Sequence, residues 1–167
     1  MTELISVMIV DDEKLMLEDL STMINWEAYG YQIIATAFNG KQALRKYREY
    51  RPQVIFTDIR MPFMDGIELI GAAKEEGFTL KTIITDEKVS IVLLTAYEDF
   101  SYAKAAIRLG ITEYVIKSEI TESSLSDLLN RLKTNIIKAG KRERYITDRM
   151  LEQFFLSEEM TESADIE

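Results

Sequence analysis

Short apolar runs alternate with amphipathic stretches along most of the chain. ISVMIV (5–10) is the first run and is of strand length. In EKLMLEDLSTMINW (13–26), Leu17, Leu20 and Ile24 recur at helical spacing, which predicts an amphipathic helix. YQIIATAF (31–38) is a second strand. NGKQALRKYREY (39–50) is a second helix, with Asn39 as N-cap and Ala43, Leu44 and Tyr47 on one face. VIFTD (54–58) is the third strand, and DGIELIGAAKEEG (65–77) a helix capped by Asp65 and stopped by Gly77. The strand VSIVLLT (89–95), the helix DFSYAKAAIRLG (99–110) and the strand EYVIK (113–117) follow. The last helix is TESSLSDLLNRLKTNIIKA (121–139), with a stripe of Leu125, Leu128, Leu129, Leu132 and Ile136.

Five strand–helix repeats predict a parallel sheet, because continuous Val, Ile and Leu runs need cover on both faces and the helices supply it. Right-handed crossovers make this a doubly wound α/β three-layer sandwich. In such a fold a site lies at the carboxyl ends of the strands, near the point where strand order reverses. Residues 78–88 interrupt the rhythm. A plain crossover connection is shorter, so a local insertion is expected, a hairpin turning at Asp86-Glu87, with no catalytic role.

Composition narrows the chemistry. The 167 residues suit one domain plus an appendage, and 47% hydrophobic residues suffice for a packed core. Cysteine is absent, which excludes disulfides and thiolate metal sites. Histidine is absent too, so the commonest general base and zinc ligand are missing, and a Ser-His-Asp hydrolase cannot be built from this chain alone. The opening MTELISVMIVDDE lacks the basic start of a signal peptide, and no apolar run is long enough to span a bilayer. A cytoplasmic location with no membrane partner is expected. The net charge of −9 argues against a nucleic-acid surface on these residues. Seven acids and one base fall within 145–167, so −6 of that charge lies at a solvated acidic end.

Asp11 and Asp12 directly follow the first strand, and Asp58 ends the third. In a doubly wound sheet these carboxylates meet at one edge. Any one of them could simply cap a helix. Together and unneutralised, they would repel and raise one another's pKa. A hard divalent cation resolves this, and magnesium suits a few oxygen ligands completed by water and a phosphoryl oxygen. Thr95 ends the fourth strand, the small Ala96 follows it, and Lys117 ends the fifth. A hydroxyl, a backbone N–H and an ammonium facing the acids form a phosphate cradle. A phosphatase working through a phospho-aspartate wants an acid two residues past the nucleophile, where Arg60 stands instead. No GxxxxGK[ST] loop supports nucleotide hydrolysis.

VDDE (10–13), FTDIRMPFMDG (56–66), LLTAY (93–97) and YVIKS (114–118) resemble, in order and spacing, the receiver domain of bacterial two-component response regulators, over roughly residues 4–138. The resemblance implies a CheY-like, flavodoxin-like (βα)5 fold with strand order 2-1-3-4-5. It implies a receiver over 1–138, then a helical linker and acidic tail over 139–167. It casts the chain as a signalling switch rather than an enzyme, with Asp58 accepting a phosphoryl group from a histidine of a partner sensor kinase. Magnesium is the implied cofactor, held by Asp12 directly, Asp11 through water, Asp58, and the backbone carbonyl of Arg60. Lys117 is to pair with Asp58 and then with the phosphoryl group, whose oxygens Thr95 and Ala96 bind. Tyr114 is to turn inward as Thr95 moves. The surface of helix 4, strand 5 and helix 5 then changes, and a homodimer forms through it. The missing histidine fits a donor on another protein.

Some positions depart from the family pattern. Ser118 follows Lys117 where the family often has proline, and a non-proline cis bond costs about 2.5–4 kcal/mol, so a trans bond is expected. Arg60 and Tyr97, two residues past Asp58 and Thr95, are large enough to screen a phosphoryl group and slow its loss; the alternative is that both point to solvent. INWEAYGYQIIATAFNGKQAL (24–44) and TAYEDFSYAKAAIRLGITEYVIKS (95–118) carry a narrower resemblance, to receivers whose full-length proteins end in an AraC-type helix-turn-helix domain. No such domain fits in the remaining residues, so the chain is expected to be an N-terminal piece that meets DNA only through a missing output domain. Ile146, Met150 and Phe154 lie four apart, as do Leu151 and Phe155, an apolar stripe that asks for a partner face. KAGKRER (138–144) reads as a solvated linker. The rival reading is a stand-alone relay or protein-binding receiver without DNA output.

Overall fold

The computed structural model of the chain describes residues 3–76, 89–96 and 100–164. Strands form at the apolar runs: β1 (Ile5–Val10), β2 (Tyr31–Ala37), β3 (Val54–Asp58), β4 (Ser90–Thr95) and β5 (Glu113–Ile116). All neighbours pair in parallel, in the order β2-β1-β3-β4-β5. Every residue of β3 is buried, as is β4 from Ile91 to Thr95. Burial on both faces is why these strands lack an alternating pattern. The helices are α1 (Lys14–Met23), α2 (Gly40–Tyr50), α3 (Gly66–Glu76), α4 (Phe100–Arg108) and α5 (Glu122–Ala164). The arrangement is the CheY-like receiver fold. The insertion expected at 78–88, with its hairpin, and Tyr97 lie outside the described residues.

Two layers sandwich the sheet. On one face Met8, Val10, Ile55, Ile91 and Leu93 share a core with Leu44 and Tyr47 of α2, Leu69 and Ile70 of α3 and Ala106 of α4. On the other, Phe56 meets Trp26 edge-on at 5.5 Å, and Trp26 meets Tyr31 at 6.4 Å. The Tyr31 hydroxyl donates to the Leu129 carbonyl and so ties β2 to α5. The expected caps form. Gln42 N–H donates to Asn39 Oδ1 at 2.8 Å, and Asp65 and Glu68 make a reciprocal capping box at 2.8 and 3.0 Å.

Three element boundaries differ from expectation. α1 stops at Met23, and Trp26 enters the core through a 3-10 turn (Trp26–Tyr29) while its indole N–H donates to the Leu20 carbonyl at 3.0 Å. Burying that ring outweighs one more helical turn. β5 ends at Ile116, which leaves Lys117 in a 3-10 turn (Lys117–Glu119). α5 does not end near 139 but continues to Ala164, since no proline follows and Gly140 alone costs only about 1 kcal/mol in a helix. The chain divides into two compact units, Met1–Asn130 and Arg131–Glu167. The described residues contain no cis peptide, so the Lys117–Ser118 bond is trans.

Candidate functional site

Val10 pairs with Thr57, so Asp11 and Asp58 leave neighbouring strands side by side. β1 and β3 flank the point where the order of the sheet reverses, which opens a crevice at their carboxyl ends. One oxygen each of Asp11, Asp12 and Asp58 lies within 4.8 Å of the other two. Asp11 is fully buried, Asp58 is 7% exposed, and Asp12 faces solvent. The chain just beyond each strand orients the buried acids. Glu13 N–H donates to Asp11 Oδ1 at 2.9 Å, and Ile59 N–H donates to Asp58 Oδ1 at 2.8 Å.

Lys117 reaches these acids from the far side of β4. Its Nζ lies 2.7 Å from Asp11 Oδ2 and 3.2 Å from Asp58 Oδ2. It faces the acid cluster as the strand ends predict, and of the two contacts the shorter is to Asp11 rather than to Asp58, the partner that the resemblance implies. Among the described residues, Asp11 Oδ2 is buried with no partner other than the Lys117 ammonium. Burial pushes the Asp58 carboxyl up, and the charge of Asp11 adds to it, to about 6; Lys117 and the Ile59 N–H offset this only in part. Burial likewise raises Asp11, against the pull of its hydrogen bond with Lys117. Burial draws the Lys117 ammonium down, but the hydrogen bond to Asp11 and the charges of both acids outweigh it, and its pKa rises. Three carboxylates therefore face one ammonium. An all-oxygen donor set, a deficit of positive charge, an under-partnered buried oxygen and an exposed acid at the rim fit a hard divalent cation such as magnesium.

The remaining expected residues fall around this cluster. Thr95 ends β4, is 6% exposed and pairs with Ile116, the residue before Lys117. Ala96 follows it at the surface. Tyr114 pairs with Leu93, two residues before Thr95, so Thr95 and Tyr114 lie on the same face of the sheet. The Tyr114 side chain packs on the core, and its hydroxyl is buried with no hydrogen-bond partner among the described residues. Arg60 lies in the loop leaving β3, exposed, with its guanidinium carbon 5.5 Å from the centre of the Tyr102 ring. Nothing in the sequence pointed to that contact, because Tyr102 lies in α4, far along the chain.

The same loop explains Gly66. Its N–H donates to the Ile59 carbonyl at 2.7 Å, and a Cβ there would sit 2.1 Å from the Asp58 carbonyl oxygen. Only glycine lets α3 begin this close to the acid-bearing strand. Phe63, at the loop's tip, has φ 68° and is 80% exposed.

A family model described as "Response regulator receiver domain" matches residues 7–130. Among curated relatives, the uncharacterized transcriptional regulatory protein YesN of Bacillus subtilis is 31% identical over 138 residues, covering 81% of this chain and 35% of its own length. The chain spans between a third and a half of the length of the curated relatives it matches. Two solved structures share the fold. The REC domain of AraT, a response regulator from Geobacillus stearothermophilus, is 29% identical with a TM-score of 0.70, over 83% of this chain and 98% of that one. A two component transcriptional regulator AraC from Clostridium phytofermentans is 33% identical with a TM-score of 0.65, over 84% and 98% respectively.

Proposed function

The chain belongs to the response regulator receiver family, and we propose that it is a phospho-accepting switch in which Asp58 takes a phosphoryl group from a histidine of a partner sensor kinase. The observation that carries this reading is Lys117, held between Asp11 and Asp58 at the edge where the sheet order reverses. A carboxyl with a pKa of about 6 is ionised at neutral pH yet more nucleophilic than an exposed one. An Asp58 oxygen forms the new P–O bond as the P–N bond to the donor histidine breaks; the imidazole leaves and takes up a proton. Asp11, Asp12, Asp58 and the backbone carbonyl of Arg60 would hold magnesium, which supplies positive charge against the phosphoryl oxygens.

This chain's own residues do the rest. Lys117 keeps its contact with Asp11 and transfers its second one from Asp58 to a phosphoryl oxygen. The Thr95 hydroxyl and Ala96 N–H bind the other oxygens. Because Thr95 and Tyr114 share a face of the sheet, a shift of the threonine alters the space open to the tyrosine. The local gain of nearly two negative charges thereby biases the α4–β5–α5 surface, through which two copies associate.

The relatives' names as transcriptional regulators support an output that binds DNA through an AraC-type domain; this reading takes 1–138 as the receiver and 139–167 as the linker, in the cytoplasm. No helix among the described residues is long and apolar enough to cross a membrane. The test is incubation with magnesium and acetyl phosphate followed by mass spectrometry. Wild type gains the mass of one phosphoryl group and Asp58→Ala gains none. A wild type that stays unmodified overturns the proposal.

A further inference from the structure

α2 is a basic element in an acidic protein. Lys41, Arg45, Lys46 and Arg48 stand there against one acid, Glu49, in a chain of net charge −9. Lys46 donates to the Thr36 carbonyl. The other three cations fall at helical spacing on one face. They are exposed and line an open groove of about 440 Å³ that also takes in Phe63, from the loop between β3 and α3. That volume lies in the range of small-ligand sites. No acid lines the groove, Glu49 included. Asn39 and Gln42 line it too, and their side-chain oxygens already accept from the N–H groups of Gln42 and Phe38, which leaves their NH2 groups as donors. Phe63 has φ 68° and is 80% exposed. A left-handed backbone is costly for so bulky a residue, and a ring this exposed gains little core packing to offset it. Its loop is nonetheless fixed against α2. Gly40 N–H donates to the Met64 carbonyl at 3.1 Å, and a Cβ on Gly40 would sit 2.5 Å from that oxygen. The basic helix face and the loop that carries the ring are therefore set in place before any ligand arrives.

We propose that this groove binds a nucleoside polyphosphate. Arg45 and Arg48 lie about 6 and 10 Å from Lys41 along the helix axis. A chain of phosphates can meet more than one of these cations, and a lone phosphate cannot. The arginine fork suits phosphate oxygens. The Phe63 ring offers a face on which a base stacks, and the two amide NH2 groups donate to its acceptors or to those of the ribose. The negative charge of the whole chain disfavours a longer nucleic acid, and the volume suits a single nucleotide. The groove shares no residue with the cluster of Asp11, Asp12 and Asp58, so the proposal stands apart from the reading of Asp58 as acceptor.

Titration calorimetry of the full chain with ATP tests this, with EDTA present so that no divalent cation bridges ATP to the acid cluster; amide NMR shifts locate the binding. Wild type binds, with shifts along α2 and at Phe63. Lys41→Gln and Arg45→Gln each weaken binding about tenfold. Phe63→Asn, which tolerates the left-handed backbone, weakens ATP about fivefold or more yet leaves inorganic tripolyphosphate unchanged. Asp58→Asn binds ATP as wild type does, which keeps a failure of the acceptor reading separate from a failure here. A wild type that shows neither heat nor shifts overturns the proposal, as do shifts centred on Lys117. ATP affinity unchanged by Arg45→Gln or by Phe63→Asn overturns it too. Hexaglutamate or a thymidine oligonucleotide binding more tightly than ATP would assign the groove to a macromolecule and equally overturn it.

Discussion

Asp58 carries two opposed burdens: burial and the Asp11 charge disfavour its ionised form, and Lys117 favours it. The balance has a consequence for stability. Its pKa is about 6 in the folded protein against 3.8 ordinarily, so between pH 4 and 6 the unfolded chain gives up the proton first. The contribution of this group is fully present below about pH 4 and is lost as pH rises through 6, about 3 kcal/mol in all. In chelator, the urea-unfolding free energy of Asp58→Asn relative to wild type should therefore climb by about that much from pH 4 to pH 7; a gap that stays constant contradicts it. Tyr114 makes a second case. Its hydroxyl is buried with no hydrogen-bond partner among the described residues, so Tyr114→Phe should stabilise the protein by about 1 kcal/mol, seen as a higher thermal midpoint. An unchanged or lower midpoint would show that the hydroxyl is satisfied in solution. The acids, Thr95 and Lys117 were legible because each is the polar residue that closes an apolar strand. The Lys117–Asp11 contact was not, since it depends on how far apart β1 and β5 lie in the sheet.

Among elements, the loop from β3 to α3 decides most. It sets Asp58 Oδ1 on the Ile59 N–H, returns through Gly66 to the Ile59 carbonyl, and leaves no room for a methyl group beside the Asp58 carbonyl. Gly66→Ala should cost about 1–3 kcal/mol and reduce phosphoryl uptake from acetyl phosphate, because relief requires the acid-bearing strand end to move. Wild-type stability and uptake in this variant would mean that α3 can retreat freely. The helices were read from period and caps, and Asn39 and Asp65 cap as their sequence context predicts. Ends were less legible. Trp26 ends α1 early because its ring has a core site to fill, and no local residue announces that.

At the scale of the molecule, the five-stranded order brings residues from positions 11, 58, 95 and 117 to one edge, all within the unit Met1–Asn130. Three acids against one ammonium make the folded edge a better cation site than the unfolded chain, where they are scattered. Magnesium at 100 times its dissociation constant should raise the unfolding free energy by about 2.7 kcal/mol, and Asp12→Asn should lose most of that rise. Calorimetry with and without the metal measures it; equal midpoints in both conditions would remove the cation from the account.

The layers and the edge follow from local pattern along the chain. Unbroken apolar strands between amphipathic helices demand a parallel sheet covered on both sides, and polar residues closing those strands have only one end of the sheet to occupy. Depth and neighbours came from tertiary packing: Asp58 raised to about 6 by burial, Lys117 shared with Asp11, the Tyr114 hydroxyl buried with no partner among the described residues, and Arg60 laid on Tyr102. Those depend on distances between strands and helices far apart in the chain, and local pattern carries no measure of them.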